Sequence, residues 1–287
     1  RTGARGSGCG AGHRGAESAP SAPQATIVVG GHIDSWDLSP GAHDDGAGCA
    51  QSIEALRLIR GLGLRPRRTI RAVLFMDEEN GGNGTLACVL RGYTGDGMVF
   101  SEPSGDFALG IAQRGAQFFR LKITGVEGSI EGRYDLVNPI GKALQVYQAV
   151  EAYSLWREST VSHPLYDPYY KVKVPLAICK IHGGEWASTI PSACYLEGSI
   201  EALPGEDIEM IKNGFKNYLS ALGLQDAWFA EHPIEVEWWG LRLESAEVSL
   251  DHPLVLAAAR EIEQGRAALA GHLEAAEPEE KQGLVKS

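Results

Sequence analysis

Three short apolar runs, at residues 27–29, 72–76 and 97–101, each lead into residues of the kind that bind cations. His32 and Asp34 follow the first, Asp77-Glu78-Glu79 the second, and Glu102 the third. Residues 26–29 read as a short buried strand ending at a Gly30-Gly31 turn. Residues 46–59 repeat Ala50, Ile53, Leu56 and Ile59 at helical spacing, with Gly61 and Gly63 as the stop. Strands are expected over 69–76 and 97–101, with a helical piece over 85–90 between them. This alternation predicts an α/β fold, a mostly parallel sheet with covering helices. Open sheets of that kind bind ligands beyond the carboxyl ends of their strands, where these imidazole and carboxylate groups fall.

From about residue 112 the rhythm changes. Residues 116–124 alternate, with Phe118, Arg120 and Lys122 on one side and Phe119, Leu121 and Ile123 on the other. A long amphipathic helix over 139–156, strands over 176–181 and 193–202, a helix over 207–222 and a strand over 234–239 follow. The order β-α-β-β-α-β is that of a ferredoxin-like domain. A helix over 252–262, with Asp251 as its cap, returns to the first domain. The expected organisation is a disordered segment at 1–24, a catalytic domain from 25–111 and 241–264, a ferredoxin-like lid at 112–240, and a tail at 265–287. The first segment is rich in Gly, Ala, Ser, Pro and Arg and lacks the apolar residues that would offset its ordering entropy.

A net charge of −11 and a pI near 5.2 argue against a nucleic-acid partner. No apolar run reaches the length of a membrane span, and no secretory h-region follows the N-terminal arginines. The five cysteines, Cys9, Cys49, Cys88, Cys179 and Cys194, are scattered without a CxxC pair, which predicts free thiols in a reducing, cytoplasmic compartment.

The chemistry concentrates at four places. His32-Ile33-Asp34 offers an imidazole with a carboxylate two residues on, the arrangement that fixes a metal-binding tautomer. Asp44 follows His32 by twelve positions in Asp44-Asp45-Gly46, a sequence also suited to a helix start. Adjacent Glu78 and Glu79 repel each other unless a cation is present. Glu102 ends the third strand. One imidazole with several carboxylates suits a divalent ion such as zinc, with one member of the Glu78-Glu79 pair free to act as a base.

The residues then carry a resemblance. Gly30-Gly31-His32-Ile33-Asp34-Ser35-Trp36-Asp37, Gly41-Ala42-His43-Asp44-Asp45-Gly46-Ala47-Gly48 and Asp77-Glu78-Glu79-Asn80-Gly81-Gly82 resemble the zinc aminopeptidase and plasma glutamate carboxypeptidase family. Ser101-Glu102-Pro103, Gly125-Val126-Glu127-Gly128, Asn138-Pro139-Ile140, Gly183-Gly184-Glu185-Trp186 and Leu203-Pro204-Gly205-Glu206-Asp207 are similar to the acetylornithine deacetylase and succinyl-diaminopimelate desuccinylase family. Both belong to one dinuclear-zinc exopeptidase clan. The resemblance implies two divalent metal ions, zinc with cobalt or manganese as alternatives. It implies His32 and Glu102 on one ion, Glu79 on the other, and Asp44 between them. Asp34 would orient His32, and Glu78 would be the general base acting on metal-activated water. The implied substrate is a small peptide or an N-acyl amino acid, and the lid implies a homodimer.

The chain departs from those families at identifiable positions. They place a further imidazole ligand late in the catalytic domain, where this chain has only His272. Ser129 stands where the deacetylase-like lid presents a histidine, Glu201 near its arginine, and Ser188 at its asparagine. The strands that normally precede Thr26 and follow Leu256 are not found, so the expected fold is an incomplete one. These departures leave a second reading open, a truncated or degenerate homologue that acts as a dimerising module. His163, His232 and His252 precede proline and read as turn or cap residues, His182 as structural, and His43 as a neighbour of the ligand loop. Trp156, Trp186, Trp228, Trp238 and Trp239 read as core or interface residues.

Overall fold

The structure is a computed structural model that describes residues 25–103 and 108–275. The N-terminal segment with Cys9 and His13, and the end of the tail, lie outside the described residues. A three-stranded parallel sheet is built from β1 (Thr26–His32), β2 (Thr69–Phe75) and β3 (Gly97–Phe100), in the order β2-β1-β3. Helix α1 (Ala47–Gly61) lies against the central strand, and α2 (Asn83–Leu90) follows β2.

Contrary to the expected turn, Gly30 and Gly31 lie within β1, which continues to His32. They are glycines because of what approaches them. A Cβ on Gly30 would sit 2.0 Å from the Val73 carbonyl oxygen, and one on Gly31 would sit 2.1 Å from a carboxylate oxygen of Asp45. Small residues of α1 use that space: Ser52 Oγ donates to the Gly30 carbonyl at 3.2 Å, and Cys49 Sγ to the His32 carbonyl at 3.2 Å.

The chain enters the second domain through β4 (Ala112–Gln113) and leaves it through β11 (Ala246–Glu247), two short strands paired antiparallel. Between them lie β5 (Gly115–Thr124), β6 (Gly128–Ser129), α3 (Pro139–Thr160), β7 (Leu176–Gly183), β8 (Thr189–Ile190), β9 (Ala193–Ala202), α4 (Ile208–Ser220), α5 (Ala227–Glu231) and β10 (Glu235–Leu243). The main sheet has the antiparallel order β10-β5-β9-β7, the ferredoxin-like arrangement that the element order predicts. Phe119, Leu121 and Ile123 of β5 are buried, and they pack with Val146 and Val150 of α3, Leu196 and Ile200 of β9, and Phe215 and Leu219 of α4. The alternation of β5 is thus the division between core and outer face.

The lid helices start where their caps are. Asn138 Oδ1 accepts from the Ile140 amide at 3.0 Å, and Asp207 Oδ1 from the amides of Glu209 and Met210 at 2.8 and 3.4 Å. Glu206 accepts from the Leu203 amide at 2.8 Å and from Arg157 at 3.0 Å, so Leu203-Pro204-Gly205-Glu206-Asp207 is a bracing turn. Strand β10 runs four residues beyond its expected end, through a bulge between Trp239 and Arg242 where Gly240 has φ +61°.

Helix α6 (Pro253–Ala275) continues far beyond residue 262, and its start is held by His252 Nδ1, which accepts from the Leu254 amide at 3.2 Å, in place of Asp251. Trp228 Nε1 donates to the Thr124 carbonyl, and Trp238 packs on the lid core. Trp156 and Trp186 are exposed, which leaves the interface as their expected place. The four described cysteines are all free thiols.

Candidate metal centre

His32 is 1% exposed at the carboxyl end of the central strand. Its Nδ1 lies 3.0 Å from the Asp34 carbonyl oxygen and 3.5 Å from Asp34 Oδ1. Its Nε2 lies 2.9 Å from Asp44 Oδ1 and 3.6 Å from Glu102 Oε1. A neutral ring that donates Nδ1–H to the carbonyl turns a bare Nε2 lone pair toward those carboxylate oxygens, so a proton or a cation must lie between them. Burial alone would lower the His32 pKa, yet the Asp44 hydrogen bond and the charge of Glu102 outweigh it and raise the ring above its ordinary value.

The loop after β1 and the turn after β2 are joined by Asp34. Its Oδ2 accepts from the Glu79 amide at 3.3 Å while its carbonyl holds His32. Burial pushes the Asp34 carboxyl up, and hydrogen bonds from the amides around Glu78 and Glu79 bring it below its ordinary value. The turn itself is tight: Asp77 has φ +63°, Gly81 and Gly82 have φ +122° and +74°, and Asn83 donates to Asp77 Oδ2 at 2.5 Å. Gly81-Gly82 is therefore required by backbone conformation. Glu78 is partly buried, and desolvation raises its pKa, with Glu79, Asp34 and Asp44 adding to the rise and His32 opposing it.

Around Nε2 the structure brings together two overlapping sets whose ligand atoms lie within 4.8 Å of one another: His32, Asp44 and Glu79, and His32, Asp45 and Glu102. The three carboxylates expected from the sequence to bind metal alongside His32, those of Asp44, Glu79 and Glu102, are therefore brought together around its imidazole. Asp45 is the residue that sequence reasoning missed. It is fully buried, accepts from the His32 amide at 3.1 Å (Oδ2) and the Gly48 amide at 3.1 Å (Oδ1), and follows Asp44 through a cis peptide bond. Gly31 and Gly48 both give way to its carboxylate, a fit made only in the folded chain. Glu102 is pushed up to about 7, first by desolvation and then by the charge of Asp45.

This donor set fits a divalent cation. One imidazole nitrogen faces several carboxylates, three of which (Asp45, Glu78 and Glu102) are held above their ordinary pKa by crowding and desolvation that a bound cation relieves. Among the described residues His32 is the one imidazole in these sets. The side chain of His272 lies outside the described residues. His43 is exposed and in neither set, and His163 Nδ1 accepts from the Leu165 amide while Nε2 meets Glu247 at 3.2 Å. Glu201, near the expected position of a substrate-gripping arginine, is paired with Arg114 at 3.3 Å, whose guanidinium lies over Tyr166 and Tyr170. Ser129 accepts from the Glu131 amide and caps a short turn.

Residues 15–93 match Peptidase family M28, and residues 111–227 match the Peptidase dimerisation domain. Carboxypeptidase Q of Xenopus laevis is 56% identical over 62 residues, 22% of this chain and 13% of that protein. N-formyl-4-amino-5-aminomethyl-2-methylpyrimidine deformylase of Bacillus subtilis is 23% identical over 278 residues, 83% of this chain and 64% of that protein. The solved structure of a tripeptidase from Staphylococcus aureus matches with a TM-score of 0.59 at 17% identity, covering 85% of this chain and 65% of that one. The chain thus spans a small part of the first relative and under two thirds of the other two.

Proposed function

We propose that the chain, in which a segment matching Peptidase family M28 is joined to one matching the Peptidase dimerisation domain, is a metal-dependent hydrolase of amide bonds of the dinuclear-zinc exopeptidase kind. The observation that carries this reading is His32 Nε2 facing Asp44 at 2.9 Å and Glu102 at 3.6 Å, with Glu79 in the same group. His32, Asp44, Glu79 and Glu102 would hold the metal, with Asp45 supporting from beneath. Zinc is the first candidate, with cobalt and manganese as alternatives; the one free imidazole lone pair of His32 would serve a single ion, and a second ion would draw on the carboxylates of Asp44 and Glu79. A bound divalent cation supplies activation of water and polarisation of the amide carbonyl.

Glu78 supplies the proton transfer. Its carboxyl is partly buried among the carboxylates of the cluster, where a general acid–base group would stand beside metal-activated water. It takes a proton from the attacking water and returns it to the leaving amine. Asp34 keeps the His32 ring and the Glu79 main chain in register during that exchange. The substrate class is a small peptide or an N-acyl amino acid. The names carboxypeptidase, tripeptidase and deformylase among the relatives support it, because each denotes a reaction at an amide carbonyl.

The test is elemental analysis of purified protein, followed by hydrolysis of dipeptides and N-acyl amino acids with and without chelator. Activity should require the metal. Glu78→Gln should retain the metal and lower kcat by roughly 10²–10⁴-fold, the usual size of a general-base contribution. Protein that takes up zinc, cobalt or manganese and stays inert on both substrate classes overturns the reading. That result would favour a dimerising module, which the presence of one imidazole among the described residues of the cluster also supports.

A further inference from the structure

We propose that Trp36 is a positioning residue for the metal ligand Glu79, an inference that rests on the metal-dependent reading above. Trp36 Nε1 donates a hydrogen bond to Glu79 Oε2 although the indole is 63% exposed. A carboxylate has two oxygens, and an N–H fixed on one turns the other to a cation. Glu79 is then held at both ends: Asp34 Oδ2 takes its amide at 3.3 Å, and Trp36 takes its side chain. Outer partners of this kind set the orientation of a ligand carboxylate.

The loop that carries the indole is built to hold it. The Ser39 amide donates to the Trp36 carbonyl at 3.0 Å, and Ser35 Oγ donates to the Ser39 carbonyl at 3.1 Å. Gly41, at φ +65°, lets the loop close on Ser35, whose Cβ would lie 2.7 Å from a Cβ at Gly41. An exposed indole on a loose loop would give its N–H to water. Here the turn aims it across to the strand-end carboxylate, and Trp36 closes the outer side of the cluster.

The arrangement has a spectroscopic consequence. Of the six tryptophans, the other five lie between residues 156 and 239, in the lid, and among the described residues Trp36 is the one whose indole N–H is bonded to a residue of the cluster. The experiment titrates Co²⁺ into the metal-free 287-residue chain, following uptake by equilibrium dialysis and emission by fluorescence, with circular dichroism to verify the fold of each variant. Co²⁺ should quench part of the emission in step with uptake, and Trp36→Phe should lose that part. Trp36→Phe should also weaken Co²⁺ binding about 10-fold, within the range for loss of an outer partner, while Trp156→Phe leaves it unchanged. In metal-free protein Glu79→Gln should shift the emission, because the indole loses its charged acceptor; this second variant serves if Trp36→Phe does not fold.

Normal Co²⁺ uptake with equal affinity in Trp36→Phe, or with quenching that survives in it, overturns the assignment and leaves the metal reading standing. An emission spectrum unchanged in Glu79→Gln also overturns it. Absence of Co²⁺ uptake by the wild-type chain overturns the metal reading and this assignment together.

Discussion

Gly31 and Asp45 are in such close contact that a methyl group at Gly31 would sit 2.1 Å from Asp45 Oδ2 and 2.9 Å from the Cys49 amide. The carboxylate occupies the space a side chain would need, and from there it holds the His32 amide at 3.1 Å. The glycine of the central strand thus makes room for the acid that holds the His32 main chain in place.

Gly31→Ala should therefore push Asp45 out of place and cost about 1–3 kcal/mol, the usual range for forcing a methyl into a packed site. Metal affinity should fall with it. Gly265→Ala, in the exposed middle of α6 with nothing within 4 Å of its Cβ position, should stabilise its helix by roughly 0.5–1 kcal/mol. Chemical denaturation of the two variants beside the wild type checks both signs. A neutral Gly31→Ala would refute the packing account.

In metal-free protein the pH dependence has a definite sign. His32 is raised above 6.5 and Glu102 from 4.5 to about 7 in the folded chain, so the native state binds more protons than the unfolded one between those values. The stabilisation from Glu102 is complete below about pH 4.5 and is lost as the pH rises through about 7. That from His32 is complete below 6.5 and is lost as the pH rises through its higher folded value. With chelator present, the thermal midpoint should fall between pH 6 and 8, and the slope should flatten in His32→Gln and in Glu102→Gln. Added zinc should reverse the trend, because the metal competes with protons for the same atoms. A midpoint that rises over this range in chelator would contradict the assignment.

Arg157 is 4% exposed and binds both the Glu201 carbonyl at 3.1 Å and the Glu206 carboxylate at 3.0 Å. Removing it takes the donor from the Glu201 carbonyl and the cation from the Glu206 carboxylate, which keeps only the Leu203 amide. Arg157→Ala should destabilise the lid by about 3 kcal/mol, the lower end of the loss when one partner of a buried pair is deleted. Arg157→Lys should recover only part, since one ammonium cannot reproduce the guanidinium fork. Urea unfolding followed by tryptophan emission reports mainly on this domain, which holds five of the six indoles.

The dimerisation-domain match gives a prediction for the lid. Strand β7 is an edge of the four-stranded sheet, and beside it α3 exposes Leu144 and Tyr147 while β7 itself exposes Ile181. Light scattering should report a dimer, and Ile181→Lys should shift it to monomer, because a charge on an edge strand opposes pairing. A chain that is monomeric at all concentrations would exclude this interface.

The lid was legible in the sequence because its signals are local. The alternation of β5 and the spacing of Ile208, Ile211, Phe215 and Leu219 are each decided within one element. His32, Glu79 and Glu102 were legible as candidate metal ligands because they fall just beyond apolar runs, and Asp44 because it opens a helix twelve positions after His32. Two features were hidden. The role of Gly30 and Gly31 depends on Val73 and Asp45, which reach them from other segments, so a strand read as a turn. The contact between Trp36 and Glu79 joins residues 43 positions apart, and no local pattern announces it. The length of α6 was missed for a different reason. Gly265 and Gly271 lower helix propensity, and α6 nevertheless runs on past both.

The pairing of β4 with β11 sets Gln113 directly opposite Ala246, so the lid leaves and rejoins the parallel sheet through a single doorway. Neighbouring ends are the geometry in which a whole domain can be transplanted without rerouting its host. The lid of this chain is in that sense a cassette, exchangeable for another ferredoxin-like unit spliced at the same two strands.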